Sequence, residues 1–197
     1  MAARMSHPAL SPLPKGWFHH GEQILALLEQ HRPAVVVELG THYGASAIAM
    51  ARVLRAWEGT LYCVDTWYGM PRPGRPRAPI KLAACAQNLI IADVNASIRL
   101  IVAETVAAGR AWQGPPIDAL YVDADHTEAG CYGDLETWGP HVRSGGLLLG
   151  DDGDHPLYPG VRIAWERYAR EIGMALTWGA VHDTNPPGMR LVSGIKP

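Results

Sequence analysis

Long apolar runs, a basic excess and any ordered cysteine spacing are all missing from this sequence. No stretch approaches the roughly 20 consecutive apolar residues of a bilayer-spanning helix. The N-terminal MAARMSHPALSPLPKGW holds no apolar core of signal-peptide length. Lys and Arg number 17 against 19 Asp and Glu, a formal charge of −2, so the footprint of a nucleic-acid binder is absent. Cys63, Cys85 and Cys131 lack metal-ligand spacing, and their odd number argues against a disulfide framework. Cys63 and Cys131 fall in or beside predicted regular structure and read as small buried hydrophobes. These absences argue against a membrane or nucleic-acid partner and make a reduced, cytoplasmic setting the default. No internal repeat or domain boundary is visible. At 48% hydrophobic and 18% charged, the chain reads as one globular domain, 19–197, behind a mobile N-terminal arm, 1–18.

What is present centres on residues 117–152. Two apolar runs, IDALYV and LLL, end in paired acids: Asp123 with Asp125, and Asp151 with Asp152. Short apolar runs bounded by turn signals read as buried strands, and a helical interval between them suggests parallel neighbours. Both acid pairs then lie at the carboxyl edge of one sheet, where open α/β folds bind ligands. Acids grouped this closely repel one another, and a divalent cation with oxygen ligands would offset that cost.

Upstream, proline and small residues make up the arm, which Trp17 and Phe18 end by capping the core or closing over a ligand. Ile24, Leu25, Leu27 and Leu28 give a helical stripe over residues 19–31, stopped by Pro33. VVVELGTHYGAS reads as a strand at 35–37, a glycine turn at Gly40 and Gly44, and the start of a helix over Ala45–Leu54. Free N–H groups at that helix start could receive ligand oxygens. The second strand, 60–64, ends in Asp65, where doubly wound folds hold a nucleotide ribose. The following loop carries Arg72, Arg75 and Arg77, and serves either as solvated surface or as an anion-recognising lid. Further helices are expected at Ile80–Ile91, Glu128–Trp138 and 161–172, and further strands at 97–102, Ile117–Val122 and 146–149. The terminal segment reads as a long hairpin around Asn185, Pro186, Pro187 and Gly188. The glycine spacing lacks the G-x-G-x-x-G dinucleotide fingerprint, and a terminal hairpin does not belong to an all-parallel dinucleotide-binding sheet.

With these features the chain resembles the class I S-adenosylmethionine-dependent methyltransferases, from about Gly21 to Val192. VVVELGTHYGAS looks like their first motif and LYCVDTW like the acidic end of their second strand. VDTWYG, YVDADH and LLLGDD resemble the metal-dependent O-methyltransferases of the macrocin and novobiocin sugar type, and more distantly the caffeoyl-coenzyme A and catechol enzymes. The resemblance implies a Rossmann-like, seven-stranded doubly wound α/β sheet, mostly parallel with a C-terminal antiparallel hairpin. It implies S-adenosylmethionine contacts from Glu38, Gly40, Thr41, Gly44 and Ser46, from Asp65 on the ribose with Thr66 beside it, and from Thr105 and Asp123. It also implies Mg2+ or another divalent cation on Asp123, Asp151 and Asp152. The catechol and caffeoyl groups place a lysine three residues after the first metal aspartate, where this chain has His126; the sugar group uses the acid two residues after it, here Asp125.

Metal coordination lowers the pKa of a hydroxyl, and three carboxylates with water and substrate oxygens suit a hard ion. Either Asp125 or His126 could then take the substrate proton: histidine has the better unperturbed pKa, whereas the family match favours the aspartate. Each residue also has a plainer reading. Asp123, Asp125, Asp151, Asp152 and Asp154 could be turn acids, though two such pairs on neighbouring strands make that the weaker account. His42, His155 and His182 read as structural, and Trp67 and Tyr68 either line a pocket or fill the core. The expected function is O-methylation of a small hydroxylated molecule such as a sugar or other natural product, with homo-oligomerisation left open. The alternatives are a hydroxylase-like relative with the same metal arrangement, a nicotinamide-dependent oxidoreductase, and a non-enzymatic cofactor-binding partner protein.

Overall fold

In the computed structural model the described residues are 18–68, 80–181 and 189–197, with the backbone alone at 80 and 81. The arm through Trp17, the loop with Arg72, Arg75 and Arg77, His182 and the turn with Asn185 and Gly188 lie outside them.

The expected alternation of strands and helices is observed. Helix α1, Gly21–His31, buries Ile24, Leu25 and Leu28. It stops where Arg32 turns into the left-handed region and donates its N–H to the Leu28 carbonyl, just before Pro33, which cannot continue a helix. Strand β1, Val35–Leu39, leads through the glycine turn to α2, Ala45–Leu54. Then follow β2, Thr60–Asp65, α3, Ile80–Ile91, and β3, Ile98–Val102. A short helix not foreseen from the sequence, α4, Thr105–Arg110, precedes β4, Ile117–Val122. Helix α5, Glu128–Trp138, β5, Val142–Gly150, α6, Pro159–Ile172, β6, Leu176–Trp178, and β7, Val192–Ile195, complete the chain.

The seven strands are ordered β3-β2-β1-β4-β5-β7-β6. Pairing is parallel from β3 through β5, while β7 runs antiparallel to both β5 and β6. Side chains alternate between the faces of the sheet, as the period of two requires. Val36, Leu61, Ala119, Tyr121 and Leu149 pack with residues of α1, α2 and α3 in one core. Val37, Val64, Leu120, Val122 and Leu148 pack with residues of α5 and α6 in the other. A sheet covered on both faces explains why the parallel strands are nearly continuous runs of apolar residues. Cys63, Cys85 and Cys131 are free thiols inside these cores. No helix among the described residues is long and apolar enough to cross a membrane.

Strand order reverses between β1 and β4, the first leading outward to β2 and the second to β5. Open α/β sheets form their ligand crevice at such a point, beyond the carboxyl ends of the strands.

Candidate active site

Two strand ends meet unusually closely at this crevice. Gly40 follows β1 at φ 91°, and a Cβ there would stand 1.9 Å from the backbone oxygen of Asp123, which follows β4. Only glycine permits both the dihedral and the approach. The junction is closed by the Asp123 N–H donating to the Leu39 carbonyl at 2.9 Å and the Gly40 N–H donating to Val64 at 2.9 Å.

Beside it the glycine turn is organised from within. Glu38 is the fourth residue of β1 rather than a loop acid, and it is fully buried. Its carboxyl accepts hydrogen bonds from the Ser46 hydroxyl and, at 2.8 Å, from the Thr41 hydroxyl. Burial pushes its pKa up to about 7 against the lowering effect of these donors. Glu38, Thr41 and Ser46 therefore bond to one another. Asp65 ties the turn to β2: one carboxyl oxygen accepts the His42 N–H at 2.8 Å and the other the Trp67 N–H at 2.6 Å. Thr66 accepts the Tyr68 N–H at 3.3 Å. Trp67 fills the core, its indole N–H donating to the His42 carbonyl at 2.9 Å, while Tyr68 stays exposed. Gly44, at φ 84°, begins α2 against Cys85 and Leu89. Thr105 opens α4, and its carbonyl accepts the Trp138 indole N–H at 2.8 Å.

The acids lie one strand over. Val122 and Gly150 are register partners at the ends of β4 and β5, so Asp123 and the Asp151–Asp152 pair emerge side by side. His126 Nε2 is 3.3 Å from Asp123 Oδ1 and 3.3 Å from Asp152 Oδ2. Asp123, His126 and Asp152 each offer a donor atom within 4.8 Å of the others, the metal-capable cluster among the described residues. Asp151 faces the other way. Its Oδ1 accepts the Asp152 N–H at 2.9 Å and lies 3.3 Å from His20 Nε2, and its Oδ2 accepts the Tyr121 hydroxyl at 3.4 Å. Tyr121 also reaches Asp123 at 3.4 Å.

Electrostatics record the crowding. Burial raises the Asp123 pKa to about 7, and the Asp151 and Asp152 charges act in the same direction against the nearby imidazole. Asp152 is raised too, first by burial and then by Asp151. Burial alone would lower the His126 pKa, but Asp123 and the two acids after β5 outweigh it and raise it to about 8. Asp152 adopts φ 55°, a conformation that aspartate tolerates better than most residues and that is retained where the surroundings enforce it.

Asp125, the other candidate base, is exposed at the start of α5 and accepts the Thr127 N–H at 2.8 Å. Thr127 caps that helix by accepting the Gly130 N–H at 3.1 Å. Three further participants escaped the sequence reading. His20 looked like the first turn of an amphipathic helix, but it precedes α1, at the N-cap position, and is buried against Asp151. Tyr121 sat inside an apolar run. Tyr158 gave no signal, yet its ring lies between those of His126, at 4.7 Å, and His155, at 4.5 Å. Asp154 clamps Arg162 at 2.7 Å and Arg190 at 3.5 Å, away from the acid cluster's donor set.

A doubly wound sheet with an antiparallel last pair, a glycine turn after β1, an acid ending β2 and acids after β4 and β5 has the architecture of the class I methyltransferases. Residues 37–153 match the family described as methyltransferase domain; the chain belongs to this family. Solved structures that it resembles include an O-methyltransferase from Bacillus cereus in complex with S-adenosylhomocysteine, 17% identical, TM-score 0.72, covering 93% of this chain and 84% of that one. Another is the O-methyltransferase TomG from Streptomyces achromogenes, involved in tomaymycin synthesis and solved with S-adenosylmethionine, 19% identical, TM-score 0.71, covering 90% and 80%. At these identities the likeness concerns the fold. In sequence, the uncharacterized protein y4gI of Sinorhizobium fredii is 27% identical over 150 residues, which are 75% of this chain but 16% of that protein. The chain thus spans a small part of the length of that relative.

Proposed function

We propose that the chain binds S-adenosylmethionine beyond the ends of β1 and β2 and transfers its methyl group to a hydroxyl of a small molecule held beside the acids after β4 and β5. One observation carries this reading. In a chain of the methyltransferase family, Asp123, His126 and Asp152 converge on a common point, one strand away from the glycine turn at Gly40. The methyl donor is supported by the resemblance in fold to proteins solved with S-adenosylmethionine or its product.

The donor set fits a divalent cation. Three carboxylates and an imidazole crowd one strand edge, and Asp123 and Asp152 both have raised pKa values, first because they are buried and then because the neighbouring acids repel them, more than His126 offsets. A cation there would be held by Asp123 and Asp152, with Asp151 behind, and would favour the ionised form of the acceptor hydroxyl, as zinc brings its bound water to a pKa of about 7. The protein's own part is positional. Glu38, Thr41 and Ser46 keep the turn shaped, Asp65 fixes it to β2, and the Gly40–Asp123 approach sets donor and acceptor at adjoining strand ends. Asp125 and His126 flank the acids; the proton acceptor is whichever keeps an open lone pair in the working site. The acceptor is a small hydroxylated compound, with sugars and related natural products the favoured class. Three buried free thiols suit a reducing cytoplasmic compartment.

The test is S-adenosylmethionine binding by calorimetry, followed by methyl transfer to a panel of sugars and phenols with divalent cation or chelator. Asp152→Ala is expected to abolish cation-stimulated turnover while cofactor affinity stays within about twofold. Turnover that survives both chelator and this substitution refutes the metal-assisted mechanism.

A further inference from the structure

His126 is the member of the cluster that does not fit an all-oxygen magnesium site. We propose that His126 Nε2 is itself a metal ligand. With Asp123 and Asp152 it forms a one-nitrogen, two-carboxylate site selective for a transition ion such as Mn2+ or Fe2+ over Mg2+, and Asp151 serves as a positioning carboxylate. This inference rests on the metal-assisted reading above and specifies its ligands.

Geometry is the first support. Nε2 lies equally far, 3.3 Å, from oxygens of two different aspartates. A ring nitrogen carries at most one hydrogen, so it cannot point a good hydrogen bond at both. Donors on adjacent corners of an octahedral ion with bonds of about 2.0–2.6 Å are separated by about 2.8–3.7 Å, and both separations fall within that interval. The three donor atoms come from three residues on two strand ends and enclose a common point.

Asp151 is the expected third carboxylate, and its oxygens are already engaged. Oδ1 takes the Asp152 N–H and meets His20 Nε2, and Oδ2 takes the Tyr121 hydroxyl. His20 is fully buried at this contact. A carboxylate held this way orients its neighbours, as the groups behind metal ligands generally do. The chain turn at Asp151 delivers Asp152 at φ 55°, so that its carboxylate faces His126.

The imidazole is fixed as a ligand should be. Its ring packs against Tyr158, which packs in turn against His155, and it projects from the loop that Thr127 caps onto α5. Chemistry then sets the ion. Mg2+ prefers oxygen donors and retains water, whereas imidazole suits Fe, Ni, Cu and Zn, and carboxylate with water suits Mn. A mixed set shifts preference toward the transition ions. A coordinated Nε2 has no lone pair to offer the acceptor's proton, which assigns the base role to Asp125.

The experiment uses the full chain, stripped by chelator and titrated with Mn2+ under electron paramagnetic resonance, with Mg2+ added as competitor. Expected are Mn2+ binding at least about tenfold tighter than Mg2+ and 14N modulation from a directly bound imidazole. In His126→Gln that modulation disappears and Mn2+ affinity falls by at least about tenfold, the lower end of what supporting groups alone cost in other sites. Asp151→Asn keeps the modulation. S-adenosylmethionine affinity within about twofold in each variant certifies folding. Bound Mn2+ without imidazole modulation, or with affinity unchanged in His126→Gln, overturns the ligand role and leaves the metal-assisted reading standing. Absence of binding by either ion at millimolar concentration, with cofactor affinity intact, overturns both.

Discussion

Replacing Glu38 by glutamine should make the protein more stable at alkaline pH and leave it nearly unchanged at pH 5. Glu38 is completely buried, and the nearby Asp65 charge repels its ionised form. Its pKa rises from 4.5 to about 7 on folding. The sign follows from linkage. Between those values the unfolded chain has released the proton while the folded chain keeps it, so folding becomes less favourable as pH rises through this window. At about 1.36 kcal/mol per pKa unit, the penalty is complete above pH 7 and amounts to about 3 kcal/mol. Glutamine is nearly the same size, carries no charge, and can still accept from one of the Ser46 and Thr41 hydroxyls while the other rotates to accept from its amide. The assay is urea unfolding of both proteins at pH 5, 6, 7 and 8. The stability difference should grow by about 1 kcal/mol per pH unit between 5 and 7 and then level off. Asp123, Asp134 and His126, which also have displaced pKa values, act on both proteins and largely cancel in the difference. A difference independent of pH, or one favouring the glutamate at pH 8, would refute the claim that burial raises the pKa of this carboxyl in the folded state to about 7.

Two further substitutions test the frame around the site. Gly40→Ala places a Cβ 1.9 Å from the Asp123 carbonyl at φ 91° and should lower the melting temperature by about 10 °C or more, since strain of several kcal/mol is expected from a backbone clash combined with an unfavourable dihedral. Asp118→Ala removes a carboxylate that accepts the N–H groups of Ala34 and Val35 and pairs with Arg143; a loss of about 1–3 kcal/mol in denaturant unfolding is expected, with cofactor affinity unchanged because Asp118 lies at the amino end of β4, opposite the crevice.

Much of this arrangement is legible in the amino-acid sequence. The apolar runs and the acids that end them located β1, β2, β4 and β5, because strands covered on both faces leave little choice of residue. Boundaries moved where a polar residue is buried: Glu38 and Asp65 belong to their strands rather than to the loops after them. Helix α4 was invisible because six residues with a glycine among them carry no periodic stripe. That the acids follow the carboxyl ends of β4 and β5 was readable, but the direction of each carboxylate was not. Whether Asp151 or His126 faces Asp123 depends on His20 and Tyr158, which arrive from distant parts of the chain and have no local signature. The same holds for Asp125, whose partner is the N–H of Thr127, at the start of the next helix.

The last two strands carry a consequence for how the chain is made. β6 pairs with β7 alone, and β7 lies between it and β5. During synthesis Leu176–Trp178 therefore emerges before the strand it must pair with, and the growing sheet ends at β5 until residues 192–195 arrive. Lys196 then fastens the seam, its ammonium reaching the carbonyls of Gly139 at 3.0 Å and Val142 at 2.6 Å. Until residues 192–195 emerge, β5 presents an open edge directly beside Asp151 and Asp152, so this side of the crevice closes only after β1 to β5 are in place.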